Sequence, residues 1–273
     1  MKQICRAVLM TIALALPSFA NERVLPPEGV YYHRFVSSPA GPEAVWTNPA
    51  FLGQFKVINT EYLGEYYAGR FLNNWGTVVS GDGLGISYRR LENFMGSLYN
   101  EYIFALGAEL NPGTSWGASY KYIRNGPAPY NKRHFWNIGL LINSSPQLTL
   151  GVLFSNLNRG RLEGRRTDFE QIYSFTYKML KDKISLSADI SLSSGQSLSK
   201  AEWNYGIEAI AARGLKIYAN MDDSRKFQLG FKFNYDKYFV GNQGRYNSDG
   251  RHAGSTAYIG YAIQPQASNL REK

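Results

Sequence analysis

Apolar and polar residues alternate with period two along nearly the whole chain after residue 54, the pattern of strands with one apolar and one polar face. In "KISLSADISLS", Ile184, Leu186, Ala188, Ile190 and Leu192 share one face, and Ser185, Ser187, Asp189, Ser191 and Ser193 share the other. "KFQLGFKFNY" sets Phe227, Leu229, Phe231, Phe233 and Tyr235 against Gln228, Gly230, Lys232 and Asn234. "AEWNYGIEAI" sets Trp203, Tyr205, Ile207 and Ala209 against Glu202, Asn204, Gly206 and Glu208. About fourteen such segments follow one another, most of roughly 8–11 residues, near the length a tilted membrane-spanning strand requires. The links between them alternate in length. "SGDG", "NPG", "NSSPQ", "LKDK", "ARG" and "YDK" are tight, while "RNGPAPYNKR", "NLNRGRLEGRRTDF", "SSGQSLSKA" and "NSDGRHAGS" are long and polar. Short turns at one end and long loops at the other predict an all-β fold, a transmembrane antiparallel β-barrel of about 14 strands. A Greek-key sandwich scatters its crossovers less regularly.

Three stretches do not alternate. Residues 1–20 read as an export signal: Lys2 and Arg6, then "AVLMTIALAL", then "SFA", with cleavage expected after Ala20. Cys5 would leave with the signal, so no cysteine remains for a disulfide or a thiolate ligand. Residues 21–54 carry Pro26, Pro27, Pro39, Pro42 and Pro49, which remove donors and break strand ladders. Pro49 drives Asn48 toward an extended backbone and the start of a turn. Trp46, Phe51 and Leu52 are apolar anchors beside the small Ala50, so this segment is expected to be a plug or hatch packed inside the barrel rather than a free leader. The barrel is then expected over 55–263, with a charged periplasmic tail over 264–273.

Composition fits this picture. The 20 Tyr, 15 Phe, 5 Trp and 27 Gly suit a barrel whose polar lumen brings the mean hydropathy down to -0.33. Tyr102, Trp116, Tyr120, Tyr122, Trp136, Trp203 and Tyr258 are candidates for aromatic girdles at the headgroup level. The opposite faces carry Arg89, Glu101, Glu109, Lys121, Lys178, Asp189, Glu202, Glu208, Lys216 and Lys232, which need water or opposite charge. Gly85, Gly107, Gly117, Gly139, Gly151, Gly206 and Gly230 lie mostly on that side, where a missing side chain lets another backbone approach. The formal charge of +9 implies anionic partners such as lipid or lipopolysaccharide phosphates; for an exported chain, nucleic acid is not among them.

The stretch "EAVWTNPAFLG" resembles the Asn-Pro-Ala hatch motif near the N-terminus of the FadL family of long-chain fatty acid transporters and its PorV-type relatives. The match is sharp over about residues 43–53. The resemblance implies a fourteen-stranded outer-membrane barrel, plugged by its N-terminal region, that takes up hydrophobic compounds. It makes Asn48, Pro49 and Ala50 the hatch residues. The chain departs from the family in its shortness and in lacking a terminal aromatic residue.

The expected function is passage of small, hydrophobic solutes, fatty-acid-like, through a hatch-gated lumen. Arg89, Lys121 and Lys232 would meet a ligand carboxylate through charge-assisted hydrogen bonds, in competition with Glu101, Glu109 and Glu208. By the resemblance, ligand leaves sideways at a kinked strand, with Gly83 and Gly85 in "GLGISYRR" as candidates for the bend. An alternative is a PorV-like scaffold that docks or shuttles an exported protein. Arg159, Arg161, Arg165 and Arg166 form the densest basic cluster, a candidate anion-binding surface loop. The remote alternative is an outer-membrane hydrolase using His252 and Ser255 of "RHAGS", with Asp249 as the orienting group. The sequence has no His/Cys metal constellation and no phosphate-cradling Gly loop, so no metal or cofactor is expected.

Overall fold

The computed structural model describes residues 35–38, 41–92, 96–126, 131–162 and 165–263, with backbone only for 161, 162, 165 and 166. The proposed signal peptide, residues 21–34 and the tail 264–273 lie outside the described residues.

Alternating segments become β1 (Ile58–Tyr67), β2 (Arg70–Gly81), β3 (Leu84–Glu92), β4 (Leu98–Asn111), β5 (Thr114–Arg124), β6 (Arg133–Asn143) and β7 (Leu148–Ser155). After a small hairpin, β8 (Arg161–Leu162) and β9 (Arg165–Arg166), come β10 (Glu170–Met179), β11 (Ile184–Ser193), β12 (Glu202–Ala212) and β13 (Leu215–Asp222). The last three are β14 (Phe227–Tyr235), β15 (Tyr238–Tyr246) and β16 (His252–Ile263). All but β8 and β9 join one sheet, in which β7 pairs with β10 and β16 returns to β1, with Leu63 opposite Tyr258. The result is a closed antiparallel barrel of 14 strands, so no strand edge is left unpaired.

One rim carries the tight turns, several built on glycines in the left-handed region: Gly83, Gly113 and Gly214 at φ +83°, +82° and +79°. The other rim carries the longer links, 93–97, 125–132, 156–169, 194–201 and 247–251; the exceptions there are β13–β14, joined by 223–226, and β1–β2, joined by Ala68 and Gly69 alone. The first strand starts at Ile58 and the last ends at Ile263, directly opposite it. Both ends of the barrel therefore lie on the tight-turn rim.

The outer surface is apolar. Ile86, Phe104, Leu106, Ile138, Ile207, Leu229, Phe231 and Ile259 are all exposed, a continuous apolar skin far beyond what a protein in water leaves bare. Among the described residues no helix is long and apolar enough to cross a membrane; the strands provide the apolar belt instead. Aromatic rings pack across neighbouring strands on this surface. Trp75 meets Tyr62 and Tyr88, Tyr88 meets Tyr102, and Tyr120 meets Trp136 at 4.8 Å between centroids.

One expected girdle residue points the other way. Tyr258 is only 1% exposed and sits in the lumen, with its hydroxyl 3.0 Å from that of Tyr218 and donating to the Phe231 carbonyl at 3.2 Å. In "STAYIGYAI" it shares parity with Thr256 and Gly260, while Ile259 and Tyr261 take the outer face. Gly241, its register partner on β15, makes the room: a Cβ there would collide with the Tyr258 ring.

The interior holds two apolar clusters. Leu63, Leu91, Tyr99, Ile123, Phe135, Phe239 and Tyr258 form one. Val78, Ile103 and Ala105 from the wall join Ala44, Val45 and Leu52 of the N-terminal segment in the other. Trp46 packs against both.

Candidate functional site

Two short helical turns lie inside the barrel: a helix Ala44–Thr47 and a 3₁₀ turn Pro49–Gly53. Asn48 separates them with an extended backbone, φ -153° and ψ 102°, the conformation a following proline enforces. Pro49 then opens the turn, where its missing N–H is no loss. The Asn48 side chain, fully buried, serves both directions. Its Oδ1 accepts from the Ala50 N–H at 3.1 Å, while its Nδ2 donates to the Val36 carbonyl at 2.9 Å and to the Leu140 carbonyl of β6 at 3.3 Å. A hydrophobic residue here would leave these groups without partners in a dry interior. Ala50 and Leu52 are also buried, and burying Leu52 and Val45 contributes about 1.5–3 kcal/mol each. Phe51 is half-buried and lies 5.4 Å from Phe55, ring to ring.

The wall receives this segment through glycines. Gly107, Gly117 and Gly139 are register partners on β4, β5 and β6, a single row on the inner face. A Cβ at Gly107 would stand 2.5 Å from the Pro49 oxygen and 2.7 Å from the Gly53 nitrogen. One at Gly117 would strike the Pro49–Ala50 peptide, and one at Gly139 would coincide with Asn48 Oδ1. At Gly85 on β3 it would strike Val45, at Gly151 on β7 the Val36–Ser37 peptide, and at Gly206 on β12 the Phe35 ring. Residues 35–38 and 41–53 therefore lie against the inner wall from β12 round to β3. Gly230 answers to a side chain instead, the Tyr218 ring.

Residues 35–38, which sequence reasoning did not single out, tie the segment to the far wall. The Val36 N–H donates to Asp189 at 3.4 Å and the Ser37 N–H to Ser174 Oγ at 3.0 Å. The Ser37 hydroxyl lies 2.7 Å from that of Ser174 and 2.8 Å from that of Thr176. The sequence signal was the run of small polar residues on one face of β10 and β11, too short to fill a lumen themselves. At the tight-turn rim, Asn143 Nδ2 donates to Gln54 Oε1 at 3.1 Å.

The candidate charged residues divide. Arg89, Glu101 and Lys121 meet across β3, β4 and β5. Arg89 Nε donates to Glu101 Oε1 at 2.7 Å, its Nη2 binds the same oxygen, and Lys121 Nζ lies 3.2 Å from Oε2. Arg89 also stands 5.3 Å from the centre of the Trp46 ring, a cation–π contact between the wall and the inner segment. Glu101 thus occupies the two cations expected to wait for a ligand carboxylate. Lys232 is elsewhere, with its ammonium 4.1 Å from the Phe239 ring. Glu109 sits at the exposed tight-turn rim and accepts from the Gly113 N–H at 3.2 Å.

The expected bend at Gly83 and Gly85 is not found. Gly83 belongs to the β2–β3 turn, and β3 pairs with both neighbours in unbroken register, because Gly85 is spent on accommodating Val45. Register breaks occur instead at Gly64/Tyr66, Glu109/Asn111, Ile210/Ala212 and Arg245/Tyr246. Arg159 is exposed, with its Nε donating to the Thr167 carbonyl at 3.4 Å. Arg161, Arg165 and Arg166 fall on the hairpin, and their side chains lie outside the described residues.

His252 Nε2 does lie 2.8 Å from Ser255 Oγ. Asp249, however, engages Arg251, and the His252 ring is flanked by Tyr67 and Tyr246. In this arrangement Asp249 is engaged with Arg251 rather than with His252. Among the described residues no group of three or more His, Cys, Asp or Glu side chains could hold a metal ion.

No protein-family model matches this chain, and no curated protein matches it. Among solved structures, the fold is similar to that of the Ralstonia pickettii toluene transporter TbuX, with a TM-score of 0.61 and 10% identity over 85% of this chain and 97% of that one. A Pseudomonas aeruginosa FadL homologue matches with a TM-score of 0.49 and 9% identity over 84% and 95% of the two chains. The KdgM porin matches with a TM-score of 0.39 and 12% identity over 77% and 99%. At 10% identity the likeness to TbuX is one of fold alone, that of an outer-membrane type of barrel.

Proposed function

We propose that the barrel passes small, hydrophobic solutes across the outer membrane, and that residues 21–54 are a hatch whose displacement opens the lumen. The observation that carries this reading is the glycine row. Gly107, Gly117 and Gly139 bring backbone against backbone, so the hatch seats closely without a covalent tie and with few side chains to disentangle. The cargo class is supported by the apolar cluster around Leu63, Tyr99 and Phe135, which is buried against Trp46 here and would face a hydrophobic solute once the hatch moves. Trp46 lies against both apolar clusters and against Arg89, so a solute entering between Tyr99 and Trp46 would loosen the hatch and the Arg89 contact together. The likeness in fold to a toluene transporter agrees with this class of cargo.

The test is reconstitution in liposomes of the intact chain and of a chain lacking residues 21–54. Uptake of toluene or decanoate by the intact barrel, with little ion conductance, and a steady open pore after deletion, support the reading. Absence of uptake and conductance in both forms refutes it.

A further inference from the structure

Near the long-link rim, the inner wall of β12–β15 encloses a cleft of about 230 Å³. Its walls carry Asn204, Asn220, Asp222, Gln228, Arg245 and Asn247. Asn220, Gln228 and Arg245 are successive register partners, so one level of the wall presents an amide, an amide and a guanidinium side by side. The charged groups at the cleft are equal in number and opposite in sign: Arg245, whose Nη2 is bound to Glu65 of β1, and Asp222 with Lys226, both in the cleft wall. Asp222 Oδ1 also accepts from the Ser224 hydroxyl at 2.7 Å and the Lys226 backbone N–H at 2.9 Å.

The hydrogen-bonding capacity here is unfinished. Asn220 is more than nine-tenths buried, and its Oδ1 has no hydrogen-bond partner among the described residues. Arg245 Nε, on the same level of the wall, likewise has no hydrogen-bond partner among the described residues. One acceptor and one donor are thus left over in a small, charge-balanced space. A carboxylate or phosphate would satisfy the donor but repel the acceptor, and a hydrocarbon would satisfy neither. A hydroxyl both donates and accepts.

We propose that this cleft binds a neutral polyhydroxylated ligand, a sugar, either free or as part of a membrane glycan. The site is independent of the hatch, and its test reads binding rather than passage, so its failure would leave the transport reading standing. The full chain, purified from outer membranes in detergent, is titrated calorimetrically and by saturation-transfer NMR with glucose, N-acetylglucosamine and a lipopolysaccharide core oligosaccharide freed of lipid. Decanoate serves as the apolar control. Asn220→Leu should weaken sugar binding about tenfold or more while leaving decanoate unaffected. Asn247→Ala, in the exposed 247–251 link and outside the sheet, gives a second variant if the first does not fold. Binding of a free hexose, or of the core oligosaccharide alone, supports the site and identifies its source of ligand. Absence of transfer to every sugar at millimolar concentration, or affinity unchanged in both variants, overturns it.

Discussion

Replacing Gly107 with alanine adds one methyl group where the hatch backbone leaves no room. The new Cβ would stand 2.5 Å from the Pro49 oxygen and 2.7 Å from the Gly53 nitrogen, whereas ordinary contact starts at 3.4 Å. Neither atom is the end of a flexible side chain, so the hatch must retreat by about 1 Å, at an overpacking cost of about 1–3 kcal/mol. The strand itself has nothing to lose. Glycine weakens a strand interior by about 0.5–1 kcal/mol relative to alanine, so in an empty lumen the same change is neutral or mildly stabilising. The sign of the effect should therefore depend on whether the hatch is present. In the full chain, Gly107→Ala should raise the open-to-closed ratio about 5- to 150-fold, the equivalent of that cost. In a chain lacking residues 21–54 it should leave conductance unchanged and the unfolding temperature the same or slightly higher. Planar-bilayer conductance and heat-modifiable gel mobility, run as a double-mutant cycle, measure both. Equal effects in the two backgrounds, or none in the full chain, would refute the claim that this glycine exists to seat the hatch.

Other consequences follow from the same geometry. Asn48→Ala removes the Asn48 hydrogen bonds to Val36, Leu140 and Ala50 and should destabilise the hatch by about 1–3 kcal/mol, seen as faster amide exchange over 48–53 without loss of the barrel. Glu101→Gln leaves the buried Arg89 and the half-buried Lys121 without their shared carboxylate and should cost about 3–5 kcal/mol in thermal unfolding; adding Arg89→Met should recover part of that loss. Trp46→Ala empties the contact between the two apolar clusters and should raise leak conductance, with a packing loss of about 3–5 kcal/mol. Purified protein should hydrolyse no ester above background, and Ser255→Ala should leave that background unchanged.

Period-two patterning is a local property, and it anticipated the strands, their number and the alternation of tight and long links, because each depends only on neighbouring residues. Parity alone also put Gly107, Gly117 and Gly139 on the inner face. That they form one row depends on turn length and register between strands, which no single segment encodes. Tyr258 was misread for the same reason: an aromatic side chain suits either face, and only the opposing Gly241 decides which. Arg89 and Glu101 are directly opposed only once β3 and β4 are in register, so their mutual neutralisation was one option among several in the sequence. The anchoring of Val36 and Ser37 joins residues 137 to 153 positions apart, beyond the reach of any local pattern.

The central claim is that the hatch must move for solute to pass, and a reversible lock tests it most directly. The only cysteine in the chain is Cys5, so engineered pairs are readily made clean. A Cβ at Gly85 points at the Val45 side chain, which makes Val45→Cys with Gly85→Cys a suitable pair to join the hatch to β3. In liposomes, toluene uptake should stop when this pair is oxidised and return on addition of a reductant. Uptake that is the same in the oxidised and reduced forms would contradict the account.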